Sequence, residues 1–158
     1  MKNESIKTYS YRISQASPTE LIVILYDMAI EYLEDAKEVV DIDDDAYKQN
    51  LKHAKRVVDR LSVTLDMQYD ISKELLKLYI MMSRFIIKAT STKEIKLVDT
   101  VINMLTKLRK SFYEISKQDT SGPIMKNTQQ VYAGLTYSNA GNSNEYSNDP
   151  VNNRGYKV

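Results

Sequence analysis

Ala16-Ser17-Pro18-Thr19-Glu20-Leu21-Ile22-Val23-Ile24-Leu25-Tyr26-Asp27 is the stretch whose reading decides the fold. Ser17 suits the N-cap of a helix, because its hydroxyl can accept from an otherwise unpaired backbone N–H. Pro18 then falls at the first helical position, where a missing N–H costs nothing. Glu20, three residues after the cap, can bond back to the N–H of Ser17. The next residues, Leu21 to Tyr26, are apolar or aromatic without a break. A helix with one wet face lacks that pattern. This helix start must therefore be covered on more than one side, by its own chain or by a partner.

Outward from the cap, helical spacing continues. Helix one is predicted over about 18–40, with Leu21, Leu25, Met28, Tyr32, Ala36 and Val39 as its stripe and Ile22, Ala29, Leu33 and Val40 beside it. Asp41, Asp43, Asp44 and Asp45 end it and cap the next. Helix two is predicted over about 45–67, with a four-three seam of Tyr47, Leu51, Ala54, Val58, Leu61 and Leu65. The far half of helix one is acidic, and the first half of helix two is basic through Lys48, Lys52, Lys55, Arg56 and Arg60. An antiparallel hairpin would set those halves side by side. Exposed ion pairs give only ~0.2–1 kcal/mol each, so the apolar seams must hold the hairpin.

Helix three is predicted over about 72–89. Leu75, Tyr79, Met82, Ile86 and Ala89 form one stripe, Leu78, Met81 and Phe85 a second, and Ile80 and Ile87 lie outside both. Such a helix is either the most buried one or part of a binding surface. Helix four is predicted to start at a second capping box, Ser91-Thr92-Lys93-Glu94, and to end near Lys117. Its seam is Val98, Val101, Leu105, Leu108, Phe112 and Ile115. Four helices with short links imply an all-α fold, an antiparallel up-down four-helix bundle.

The ends read differently. Residues 1–15 are a polar, flexible lead in which a short helix would put Ile6 and Tyr9 on one face. All four glycines, with Pro123 and Pro150, lie after residue 118. Residues 1–118 therefore read as the helical domain and 119–158 as a Gly/Asn/Ser-rich, mostly disordered tail. One apolar patch, Ile124 to Tyr137, interrupts that tail and could cover apolar surface on the bundle.

Composition narrows the function. With 22 basic and 21 acidic residues the net charge is +1, which is not the footprint of a nucleic-acid binder. The chain has no cysteine, no apolar run approaching the ~18 residues of a membrane span and no signal-peptide pattern, so a cytoplasmic protein is expected. One histidine, His53, excludes a di-iron bundle with its two Glu-x-x-His pairs. The helical region has no glycine, hence no nucleotide cradle. The acidic run Asp41–Asp45 lacks the glycine and terminal glutamate of a calcium loop. Neither a metal, a cofactor nor an enzymatic activity is expected. His53, in the basic stretch Lys52-His53-Ala54-Lys55-Arg56, reads as a solvated surface residue; a phosphotransfer bundle using it is one alternative function, and a self-associating structural bundle another. What remains is an excess of apolar surface on helices one and three, suited to grooves for another protein's amphipathic helices.

Several motifs carry a resemblance over roughly residues 6–118. Ile13, Ala16-Ser17-Pro18, Leu21-Ile22 and Leu25-Tyr26-Asp27 come first. Val57-Val58 with Leu61 and Leu65-Asp66 follows, then Leu78-Tyr79, Met82, Arg84 and Ala89, then Leu108-Arg109 with Phe112. In this order they resemble the FliS family of flagellar export chaperones. Met81 stands in place of an aromatic, Thr90 where asparagine is common and Phe112 in place of tryptophan, and the tail is longer than in typical members. The resemblance implies a cytoplasmic chaperone that binds the C-terminal region of unassembled flagellin. It also implies that the chaperone prevents premature polymerisation and delivers its client to a type III export gate of the FlhA type. On that reading Leu21, Ile24, Leu25, Tyr26, Leu78, Tyr79 and Met82 are candidates for the client surface. Ile6 and Tyr9 are candidates for a mobile lid or an export-gate contact, and the chaperone would be a monomer or weak dimer.

Overall fold

The computed structural model describes residue 1 and residues 3–125. The expectations for 126–158, including most of the patch between Ile124 and Tyr137, fall outside the described residues. Among those described there are five α-helices and no strand: α1 Asn3–Gln15, α2 Pro18–Val39, α3 Asp44–Val63, α4 Asp70–Thr92 and α5 Ile95–Ser116.

The expected flexible lead is α1, and this is the first correction. Thr8 and Ser10 satisfy their hydroxyls on the carbonyls of Glu4 and Ile6, within the helix. No residue of α1 is buried. Polar contacts to α2 hold it instead, which apolar periodicity does not report. At the elbow that follows, the first capping box forms as expected. The Ser17 hydroxyl accepts from Glu20 N–H at 3.3 Å, and the Glu20 carboxylate accepts from Ser17 N–H at 2.8 Å.

The second capping box does not form. Ser91 and Thr92 belong to the last turn of α4 and donate back to the carbonyls of Ile87 and Lys88. Lys93 then closes α4 in the left-handed region at φ 55°, its N–H bonding the Ala89 carbonyl at 2.9 Å. Glycine usually takes that position. Here Lys93 also reaches Asp44 at 2.8 Å, tying the α4–α5 link to the start of α3. Glu94 precedes α5 without a side-chain cap. Helix α3 also stops short of Met67. The Thr64 hydroxyl bonds the Leu61 carbonyl at 2.7 Å, and Asp66 accepts from Gln68 N–H at 3.0 Å, the local turn chemistry that competes with a helix.

Helix α2 packs against α3 and α5, α4 packs against the same two, and α1 lies on α2. Polar links mark the pairings. Lys37 meets Asp99 at 2.8 Å and Asp27 meets Arg109 at 2.6 Å. Tyr47 donates to the Ala89 carbonyl at 2.8 Å, and Ser83 bonds Asp59 at 3.2 Å. In both pairings the partners occur in opposite order along the two helices.

The core lies between α2, α3, α4 and α5. Tyr47, Leu51, Ala54, Val58 and Leu61 are buried, as are Leu75, Tyr79, Met82, Ile86 and Ala89, so the seams expected for these two helices hold apart from Leu65, beyond the end of α3. On α5, Val98, Val101 and Leu105 are buried, Leu108 and Phe112 are half-buried, and Ile115 is exposed. The line on α2 needs correction. Its buried residues are Tyr26, Ala29, Leu33 and Ala36, with Val23 and Ile24 near the elbow, while Leu21, Leu25, Met28 and Tyr32 are half-buried. Three helices cover α2, so an unbroken apolar run does not reveal which line faces the centre.

At that centre the Tyr26 and Tyr79 hydroxyls hydrogen-bond each other, linking α2 to α4 across the core. The Phe112 ring lies 5.6 Å from that of Tyr26. Burial pushes both phenols above their ordinary range. Tyr26→Phe strands the buried hydroxyl of Tyr79 and should cost about 1–3 kcal/mol in urea unfolding. Adding Tyr79→Phe removes both polar groups, so the double variant should lose less than the sum of the single losses. A strictly additive double variant would rule out this coupling.

Candidate functional site

The residues expected to form a binding surface divide into two depths. Ile24, Tyr26, Tyr79 and Met82 are buried. Leu21, Leu25 and Leu78 are half-buried, and Leu25 and Leu78 pack against the margin of the core. Leu21 and Leu25 are on α2 and Leu78 on α4, helices that do not pack side by side.

Sequence reasoning set other residues aside that the structure exposes. On α4, Ile71, Ile80, Met81 and Ile87 all face solvent. Ile80 and Ile87, seven residues apart, share one face. The available signal was that these two fall outside both stripes of the helix. The α3–α4 link adds exposed Met67 and Tyr69. The lysines of α4 are locally paired, Lys73 with Asp70, Lys77 with Glu74 and Lys88 with Glu94, whereas Arg84 forms no ion pair among the described residues. Its apolar outer surface therefore borders paired lysines and this one unpaired cation, Arg84.

A second feature lies where α1 meets α2. The Asp27 carboxylate accepts from Arg12 of α1 at 2.7 Å and from Arg109 of α5 at 2.6 Å. The hydrogen bond to Asp27 raises the pKa of Arg109. Burial and the neighbouring carboxylate of Glu31 push the Tyr9 phenol upward, and the Arg12 guanidinium lies over the Tyr9 ring at 5.5 Å. Tyr9 is thus half-buried against α2, whereas Ile6 is exposed. Beside this clamp is a cavity of about 490 Å³ lined by Tyr11, Arg12, Val23, Ile24, Arg109 and Tyr113, among others. The motif residues Asp27 and Arg109 are therefore an ion pair, which their sequence positions alone did not suggest.

The chain after α5 returns to the same elbow. Asp119 accepts from the Thr19 N–H at 3.2 Å and the Thr19 hydroxyl at 2.7 Å, and Ile124 N–H bonds the Ala16 carbonyl at 3.1 Å. A carboxylate at the start of α2 also complements the helix dipole. Hydrogen bonds from Ser121 and Thr19 hold the Asp119 carboxyl well below the usual range.

His53 differs from the expected solvated residue. It is half-buried and stacks on Tyr32, ring centroids 5.1 Å apart. Burial, with Arg56 and Lys52 nearby, lowers its pKa. Among the described residues no group of His, Cys, Asp or Glu could hold a metal ion, and no helix is long and apolar enough to cross a membrane. The surface offers apolar contact area and ionic anchors.

A solved structure described as "Crystal structure of flagellar chaperone from bacteria" shares this fold, with a TM-score of 0.60 at 17% identity, covering 73% of this chain and 99% of that one. No curated protein matches. The family model for the flagellar protein FliS matches residues 1–119, and on that match the chain belongs to the FliS family.

Proposed function

We propose that this protein is a cytoplasmic chaperone that binds the C-terminal region of flagellin, blocks its premature polymerisation and delivers it to the flagellar type III export apparatus, at a gate of the FlhA type. Family membership supports the reading, as does the solved relative's description as a flagellar chaperone. The observation that carries it is α4, which buries a full stripe yet keeps Ile71, Ile80, Met81 and Ile87 in solvent.

The mechanism is binding. An antiparallel bundle of α2 to α5 supplies rigid apolar margins, and an extended client loses conformational freedom as it docks. Leu21, Leu25 and Leu78 would touch the client, with Ile24, Tyr26, Tyr79 and Met82 as the packed layer beneath. Because α2 and α4 are not neighbours, a client touching both must wrap around the bundle. Helix α1, which buries no residue fully and is anchored through Arg12, is suited to move, so Ile6 and Tyr9 would serve as a lid or as the export-gate contact.

The surface is tested by titrating Leu25→Ala and Leu78→Ala with a peptide spanning the C-terminal region of the same organism's flagellin. Each variant should bind about tenfold more weakly, a loss of about 1.4 kcal/mol, with its helicity retained. Wild-type affinity in both variants would remove these residues from the client surface.

A further inference from the structure

Among the exposed apolar side chains outside this reading, Ile42 lies at the same end of the molecule as a groove whose lip is Ile87 of the α4 face. Ile42, in the α2–α3 link, is 82% exposed, more than any other exposed large apolar residue among those described. It stands in the run Asp41-Ile42-Asp43-Asp44-Asp45. Asp44 is engaged by Lys48 and Lys93, and Asp43 caps the Ala46 N–H. Asp41 and Asp45 form no ion pair among the described residues. The link is thus an apolar tip ringed by negative charge.

The groove lies between α3 and α4 and has a volume of about 380 Å³. Leu51 and Ile86 form its buried floor, Ile87 stands exposed at its lip, and Lys48, Lys52 and Lys55 line its edge. Lys52 forms no ion pair among the described residues. Lys48 and Lys55 are held only by exposed partners one turn away, contacts of little worth. The groove is therefore apolar below and positive at the rim, the complement of the Ile42 tip. Ile42 is solvent-exposed in its own chain and so does not fill it.

We propose that two copies of this chain associate by seating Ile42 of each copy in the α3–α4 groove of the other, with Asp41 facing Lys52. Tip and groove are neighbours: Leu51 lies eight residues beyond the Asp43 cap, roughly 12 Å along the helix. A two-fold axis between them makes both contacts at once, the self-complementary arrangement that a symmetric dimer needs. Two such small contacts fall below the area of standard interfaces, so the dimer is weak and salt-sensitive.

The test is sedimentation equilibrium of the full chain without client, at low salt and up to about 1 mM, the weak end of specific association. A monomer–dimer equilibrium is expected, weakened at least tenfold by Ile42→Ser, by Asp41→Lys and by Lys52→Glu, with helicity unchanged. Mixing Asp41→Lys with Lys52→Glu should restore association, because both contacts of the mixed dimer then pair opposite charges. A wild-type chain that stays monomeric overturns the proposal, as does a dimer that tolerates Ile42→Ser and Lys52→Glu. No client is present, so either outcome is independent of the chaperone reading.

Discussion

Replacing Leu105 by alanine should lower the unfolding free energy by about 2–5 kcal/mol. Leu105 has no exposed surface and sits in the seam of α5, the helix that packs against both α2 and α4. Truncation removes apolar burial and leaves a void that the neighbouring Val98, Val101 and Leu108 cannot collapse to fill without shifting their own helix. The loss should appear in urea unfolding as a lower midpoint with the slope unchanged. A loss below about 1 kcal/mol would mean that the α5 seam does not face the core.

Asp27→Ala should cost about 2–4 kcal/mol and also release α1. Hydrogen bonds to charged groups contribute about 1.5–3 kcal/mol each, and two arginines share this one carboxylate. The total is reduced because both guanidinium side chains are about one-third exposed and screened by solvent. The variant leaves Arg12 and Arg109 facing each other with no counter-charge. Since α1 buries no residue, losing this anchor should free it before the bundle unfolds. Hydrogen exchange should therefore speed up across 3–15 while α3 and α4 remain protected. Undiminished protection of α1 in a folded Asp27→Ala protein would show that other contacts hold it.

The parts of this fold legible in the sequence are those fixed locally. Ser17, Pro18 and Glu20 marked the start of α2 because a capping box is complete within four residues. The seam of α3 was legible because mostly polar residues flank its apolar positions; that of α4 was legible because Leu75, Tyr79, Met82, Ile86 and Ala89 keep one unbroken helical period, even though Tyr79 and Ile86 have apolar neighbours on both sides. The helix-one stripe held at Ala36 but slipped by one position at Leu25, Met28 and Tyr32, because Leu21–Tyr26 offers an apolar residue at every angle. The junction after α4 misled because Ser91 and Thr92 bond backwards and a lysine, where glycine is usual, takes the left-handed position. Helix α1 escaped because its anchors, Arg12 and Tyr9, find their partners on another helix. For the same reason the candidate surface was only half legible. Tyr26 and Tyr79 pair at the centre of the core, a juxtaposition of residues far apart in the chain that no spacing rule encodes.

The most direct test of the central claim is a calorimetric titration of the full chain with the C-terminal region of its own organism's flagellin, with helicity followed in parallel. The chaperone account expects saturable binding, a gain in helicity and a negative heat-capacity change from apolar burial. No binding, with the protein folded and α1 either intact or released by Asp27→Ala, would contradict it.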